Sequence, residues 1–157
     1  MHIEVWSLGK ANESYIEQGI QNYFKKIKYW NSIDLVLLQY PKKEQNASIE
    51  RIMQLEEELV LKRLQAQHYL IVLDERGKLY NSIQWSEQFQ QFRNQGVKQL
   101  VFLIGGAYGI SPTIKSKAAQ IWSLSPLVFP HQLVRLLMAE QIYRALSILH
   151  HSPYHHS

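Results

Sequence analysis

The sequence contains no cysteine. That removes disulfides, thiolate nucleophiles and cysteine-ligated metals together, and it agrees with a cytoplasmic setting. Long hydrophobic runs are missing too. The longest apolar stretch, Leu100 to Ile110, is interrupted by glycines and falls short of the ~20 residues needed to span a bilayer. Met1 to Lys10 lacks the pattern of a secretory signal. A soluble, cytoplasmic protein with no membrane partner is therefore expected. An acidic excess is also absent: 17 lysines and arginines stand against 13 acidic residues, a formal net charge of +4 with seven histidines uncounted. A modest basic excess suits a polyanionic partner, since each neutralised phosphate releases counterions, but does not demand one. Lys25, Lys26 and Lys28 share one helical stretch, with Lys42 and Lys43 soon after. A solvated helix face and a phosphate-facing surface both fit that cluster.

What is present is the composition of one globular domain covering residues 1–157, with 46% hydrophobic and 19% charged residues. No internal repeat or low-complexity linker divides it. Strand-like and helix-like segments alternate along its length. His2 to Leu8 alternates polar and apolar residues as a strand does, and Asn12 to Tyr29 places Tyr15, Ile16, Ile20, Tyr23, Phe24 and Ile27 at helical spacing. Ser32 to Leu38 reads as a strand and Tyr40 to Ala47 as a loop. Ser48 is a plausible N-cap for a helix reaching about Ala66. His68 to Asp74 and Gln99 to Ile104 are short apolar runs, the pattern of strands covered on both faces. Asn81 to Asn94 is helical, Ser111 and Pro112 open a short helix, Ile121 to Leu124 is a last strand, and His131 to His150 a final helix. The expected fold class is α/β, a parallel sheet with helices on both faces.

Ligands in such sheets bind beyond the carboxyl ends of the strands. Three candidate turns follow strands: Asp74 to Lys78, Gly105 to Gly109 and Leu124 to Phe129. The "GGAYG" turn is neither the G-x-G-x-x-G dinucleotide fingerprint nor a P-loop, so tight strand-to-helix packing and close approach of a ligand remain alternatives. In "SLSPLVFP", Pro126 and Pro130 fix backbone φ at two points and stiffen an apolar loop that could wall an aromatic base or simply lead into the last helix.

The segments "LIGGAYGISP", "WSLSPLVFPHQLVRLLMAEQIYRA" and the terminal "HSPYHH" resemble the RlmH family, bacterial methyltransferases of the SPOUT superfamily with an α/β trefoil-knot fold. The resemblance runs over essentially the whole chain, including the early "LGK". It implies transfer of a methyl group from S-adenosylmethionine to N3 of a pseudouridine in 23S ribosomal RNA, within the assembled 70S ribosome. Cofactor contacts would fall at Leu73, Gly105 and the loop Leu124, Ser125, Pro126, Leu127, Val128 and Phe129. The resemblance further implies a knot threaded by the last segment and a homodimer with the final helix at its interface. Many members have proline and an acidic residue where this chain has Ala107 and Tyr108.

Methyl transfer from a sulfonium needs no metal, only alignment and removal of the N3 proton. His131 opens the last helix, where the helix dipole disfavours its charged form, so a neutral imidazole there could accept a proton or merely cap and pack. Arg135, one turn on, could hold a phosphate or the developing base anion. Arg144 could share that task, although its i, i+4 spacing from Glu140 equally suits a plain helix salt bridge. In the tail, His150, His151, His155 and His156 have no acidic companion, so no metal is expected. By the resemblance the tail folds over the active site, with Tyr154 stacking on the base and His155 or His156 meeting phosphate. Two other readings stay open: a SPOUT methyltransferase acting on transfer RNA, and a ribosome-binding protein without catalysis.

Overall fold

The computed structural model describes Met1 to His156. Five strands, β1 (His2–Leu8), β2 (Ser32–Leu38), β3 (His68–Leu79), β4 (Gln99–Ile104) and β5 (Gln120–Ser123), form one sheet in the order β2-β1-β4-β3-β5. Every neighbouring pair is parallel. Five helices connect and follow them: α1 (Ser14–Ile27), α2 (Ile49–Arg63), α3 (Ser82–Asn94), α4 (Pro112–Lys117) and α5 (His131–Leu149).

Side-chain alternation explains the layering. Ile3 and Val5 of β1, Ile71 of β3, and Leu100, Phe102 and Ile104 of β4 point to one face, where they meet α1, α3 and α5. Trp6, Leu8, Leu70, Val72, Val101 and Leu103 point to the other, against Val60 of α2 and Ile114 of α4. Both faces are thus covered, as the apolar runs of β3 and β4 require. Trp122 of β5 is fully buried and lies edge-on to Trp85 at 4.9 Å and to Phe102 at 5.6 Å, anchoring the short last strand to the larger core. Among the described residues, no helix is long and apolar enough to cross a membrane.

The local signals behave as their chemistry dictates. Ser48 Oγ accepts from the Arg51 N–H at 3.2 Å and Ser111 Oγ from the Ile114 N–H at 3.3 Å, with Pro112 opening α4. Asn81 and Gln84 form a reciprocal capping box at the start of α3. Several boundaries differ from the sequence expectation. The 40–47 loop contains a short 3-10 turn at Lys42–Glu44, and α2 stops at Arg63, where Leu64 adopts an extended conformation. The largest difference is in β3. It does not end at Asp74 but resumes beyond a bulge, so that Leu73 and Lys78 both oppose Trp122 and the residues between them swing out of the ladder.

Gly77 makes that resumption possible. A Cβ at this position would lie against the carbonyl carbon of Trp122, and 2.8 Å from the Ser123 nitrogen. Backbone meets backbone here, so no rotamer change relieves the overlap. Gly77→Ala is expected to lower stability by about 1–3 kcal/mol, measured as a shift of the urea midpoint without change of slope.

Candidate active site

The carboxyl ends of β3, β4 and β5 open into a cleft of about 570 Å³. Its walls are the Leu73–Arg76 bulge, the Ile104–Ile110 turn and the loop from Leu124 to Phe129, with His131 and Val134 of α5 closing one side and Lys115 of α4 another. The three turns singled out in the sequence therefore meet. Of the proposed cofactor residues, Leu73, Gly105, Leu124, Ser125, Leu127, Val128 and Phe129 line the cleft, whereas Pro126 is exposed and stands outside the lining.

Each wall has a local cause. In the 124–129 loop, Ser125 Oγ accepts from the Leu127 N–H at 2.9 Å and the Ser123 hydroxyl donates to the Ser125 carbonyl at 3.2 Å, a tight Ser turn that leaves Leu127 and Val128 exposed at the rim. The glycine turn closes through the Gly109 N–H donating to the Gly106 carbonyl at 3.2 Å. Space behind it is short, since a Cβ at Gly105 would come within 2.7 Å of Ile110 Cγ1. Tyr108, partly exposed, forms the lip. Asp74 binds Lys115 at 2.5 Å and accepts from the Arg76 N–H at 2.9 Å. Burial opposes its ionised form, but these donors outweigh burial and hold its carboxyl below the ordinary aspartate range.

His131 is half-buried on the cleft wall. Burial, followed by the nearby Arg135 charge, lowers its pKa from the ordinary histidine value, so the ring is neutral at neutral pH. Where the sequence predicts this effect from the helix dipole, the structure supplies desolvation and the Arg135 charge as causes.

Arg135 lies elsewhere than expected. It is 2% exposed and points away from the cleft into the end of β1. Nε donates to Ser7 Oγ at 2.7 Å, and Nη1 donates to the Lys10 carbonyl at 2.7 Å and to Asn12 Oδ1 at 2.8 Å. Nη2 reaches the Leu8 carbonyl at 3.4 Å. Asn12 in turn donates to Glu17 at 2.7 Å, supplying a carboxylate at one remove. The guanidinium braces the first turn of α5 against the β1–α1 connection, and its donors are turned inward, not toward an RNA phosphate.

The remaining candidates gather at the other end of α5. Arg144 Nε donates to Glu140 Oε1 at 2.9 Å, the i, i+4 pair anticipated as an alternative, and lies 4.9 Å from the Tyr154 ring centroid. The Tyr154 hydroxyl donates to Glu140 Oε1 at 3.1 Å, and its ring packs on Tyr143 at 4.6 Å. His155 Nδ1 is 3.4 Å from Arg144 Nη1. Burial and a hydrogen bond with Tyr23 push the Tyr154 phenol above its ordinary range, so it is protonated at neutral pH. His131 and Arg144 are thirteen positions apart along the helix, on the order of 20 Å. As far as His156, the tail folds back along its own α5, and none of these described tail residues lines its own cleft.

Two residues, one lining the cleft and one beneath it, are not among the candidates that the sequence offers. Lys115 carried no signal, because its role depends on where α4 lands. Glu56, beneath the glycine turn, did carry one: it is a carboxylate on the Ile52–Leu55–Val60 stripe that α2 buries.

The family model described as "Predicted SPOUT methyltransferase" matches residues 1–155. The chain is 42% identical over 156 residues to a "Ribosomal RNA large subunit methyltransferase H" of Flavobacterium johnsoniae, covering 99% of both chains. It is 34% identical over 159 residues to a protein of the same name from Natranaerobius thermophilus, covering 99% of this chain and all of the relative. A third such protein, from Trichlorobacter lovleyi, is 38% identical over 156 residues, covering 99% of this chain and all of that one. With an all-parallel α/β sheet, a backbone-walled cleft at three strand ends and a match along nearly its whole length, this chain belongs to the SPOUT methyltransferase family, whose α/β fold is a trefoil knot.

Proposed function

We propose that this protein methylates N3 of a pseudouridine in the 23S RNA of the large ribosomal subunit, using S-adenosylmethionine, on the assembled 70S ribosome and as a homodimer. The observation that carries the reading is the cleft at the ends of β3, β4 and β5, with a neutral histidine on its wall.

The residues present suit such a cofactor. The volume falls in the ~300–1,000 Å³ range of small-molecule sites. Leu73, Ile104 and Leu124 offer apolar contact for an adenine, the backbone of Gly105 and of Leu124 to Phe129 offers its polar edges, and Asp74 and Glu75 complement a cationic ligand. When bound, the cofactor supplies an electrophilic methyl on a sulfonium. The protein's own contribution is to position the base and take its proton. The neutral His131 ring accepts the N3 proton, so that the nitrogen lone pair is free to form the new N–C bond.

The distance along α5 supports the dimer. Arg144, Tyr154 and His155 cannot reach their own cleft from the far end of that helix, but an antiparallel second copy packed on α5 would bring them to the partner's. Arg144 and His155 would then meet RNA phosphate, and Tyr154 the face of the base.

The test is transfer of labelled methyl from S-adenosylmethionine to ribosomes lacking the modification, comparing 70S particles, separate subunits and free RNA. Label in 23S RNA at the pseudouridine, strongest with 70S particles, is the expected result. Cofactor binding without labelled ribosomal RNA would point to transfer RNA as the substrate. Absence of cofactor binding would leave a ribosome-binding protein without catalysis.

A further inference from the structure

Beneath the Gly105–Gly109 turn lies a carboxyl group that the cleft chemistry does not use. Glu56 sits one helical turn from both Ile52 and Val60 on the buried stripe of α2, and is 5% exposed. Its Oε2 is buried and, among the described residues, has no hydrogen-bond partner. Gly106 rests directly on the carboxyl group: a Cβ at Gly106 would overlap Oε1, its nearest neighbour, and would lie 2.7 Å from Oε2 and 2.8 Å from the carboxyl carbon. Only a Cα–H surface fits against the acid at that separation. The same glycine lines the cleft, and its carbonyl closes the turn with Gly109. A buried acid and the cleft wall therefore share one contact, with no room for a water between them.

We infer that Glu56 is a positioning residue for this wall: in its protonated form it supports Gly106 and so holds the Gly105–Gly109 turn where it lines the cleft, and ionisation withdraws that support. The inference rests on reading the cleft as the cofactor site. An unpaired carboxylate away from water is strongly disfavoured, so the group keeps its proton while the turn stays seated. Burial pushes its carboxyl up to about 7. Burial is the cause of the shift; the charged groups on the elements around it are Arg51, Glu57 and Glu58 on α2, Lys115 and Lys117 on the neighbouring α4, and Asp74 in the β3 bulge. Once ionised, the group must draw in water or a hydrogen-bond donor, and Gly106 occupies the place where either would enter. The loop moves, and the cofactor loses one wall.

The sign follows from the direction of the shift. Because the folded group holds its proton more tightly than an exposed glutamate, the seated loop is intact at low pH and is progressively lost as pH rises through about 7. If only the seated loop binds cofactor, apparent affinity falls with the protonated fraction, by roughly tenfold between about pH 6 and about pH 8.

The experiment is calorimetric titration of S-adenosylmethionine into the wild-type protein and into Glu56→Gln across that range. Glutamine copies the shape of the protonated acid and cannot ionise. The expected result is tight binding by the variant with the pH-dependent loss removed. Titration of the cofactor's own amino group affects both proteins equally and cancels in their ratio. Binding by both proteins with the same pH dependence would overturn the inference while leaving the cofactor site standing. Failure of the wild type to bind at any pH would overturn the cofactor reading, and this inference with it. Should Glu56→Gln fold poorly, hydrogen exchange of residues 105–109 in the free wild-type protein decides the matter. Protection, corrected for the intrinsic rate, should fall above about pH 7, and unchanged protection would overturn the proposal.

Discussion

Arg135→Met is expected to destabilise the fold by about 3–5 kcal/mol, one of the largest effects of any single substitution in this chain. Methionine matches much of the stem's volume but donates nothing. The Ser7 hydroxyl, the Lys10 and Leu8 carbonyls and Asn12 Oδ1 would all lose the donor they now face inside the protein. Each buried acceptor left unpaired costs about 1–3 kcal/mol, and the freed Asn12 no longer orders Glu17. Arg135→Lys should recover only part of the loss, because one ammonium group cannot replace a planar fork that reaches four oxygens. Urea denaturation at constant slope measures both. A second measurement separates this bracing role from an RNA contact. Arg135→Met, compared with wild type at a temperature where the variant stays folded, should leave the salt dependence of ribosome binding unchanged, since no phosphate contact is lost; a shallower slope would return the residue to the RNA interface.

The second large effect concerns how the active site is completed. Gly105→Leu places a side chain where even a Cβ meets Ile110 Cγ1 at 2.7 Å, and should abolish cofactor binding. The paired change Arg144→Ala with Tyr154→Ala leaves the cleft intact but removes the two side chains held together at the far end of α5. Each protein alone is expected to lose at least about 100-fold in methyl transfer, because alignment dominates a reaction of this type. A purified heterodimer of the two, made by co-expression with different tags, should regain about half of wild-type activity, since a two-fold dimer would then contain one site with both parts whole. Completion within a single chain predicts no recovery at all, because neither chain carries both parts. The ~20 Å of helix between His131 and Arg144 favours the first outcome.

Much of the architecture was legible from local chemistry. Both-face burial is written into the apolar runs of β3 and β4. Ser48 and Ser111 mark helix starts because their side chains satisfy backbone donors a turn away, whatever the rest of the chain does. Three strand-end turns in a parallel α/β order must open toward the same pole, so a shared cleft could be anticipated before its walls were seen. Glu56 was legible in principle, as a carboxyl group at a core position of an amphipathic stripe, but nothing near it in sequence names Gly106 as its neighbour.

Other features could not be read in this way. The resumption of β3 past its bulge depends on Trp122, far along the chain, and on the absence of a side chain at Gly77. In the sequence Arg135 reads as a partner for a phosphate or the developing base anion because it lies one helical turn beyond His131. Its burial depends on Ser7, Lys10 and Asn12 arriving from more than a hundred residues away to receive it. The sequence by itself determined the order of elements, the two covered faces of the sheet and the pole at which a ligand would sit, since period-2 and period-3.6 patterning and capping are local and act through near neighbours. Only the tertiary structure decided which charged groups face the cleft and which are spent inside. A side chain's direction, burial and protonation are set by whatever the rest of the fold packs against it, and that information is shared among segments distant in sequence.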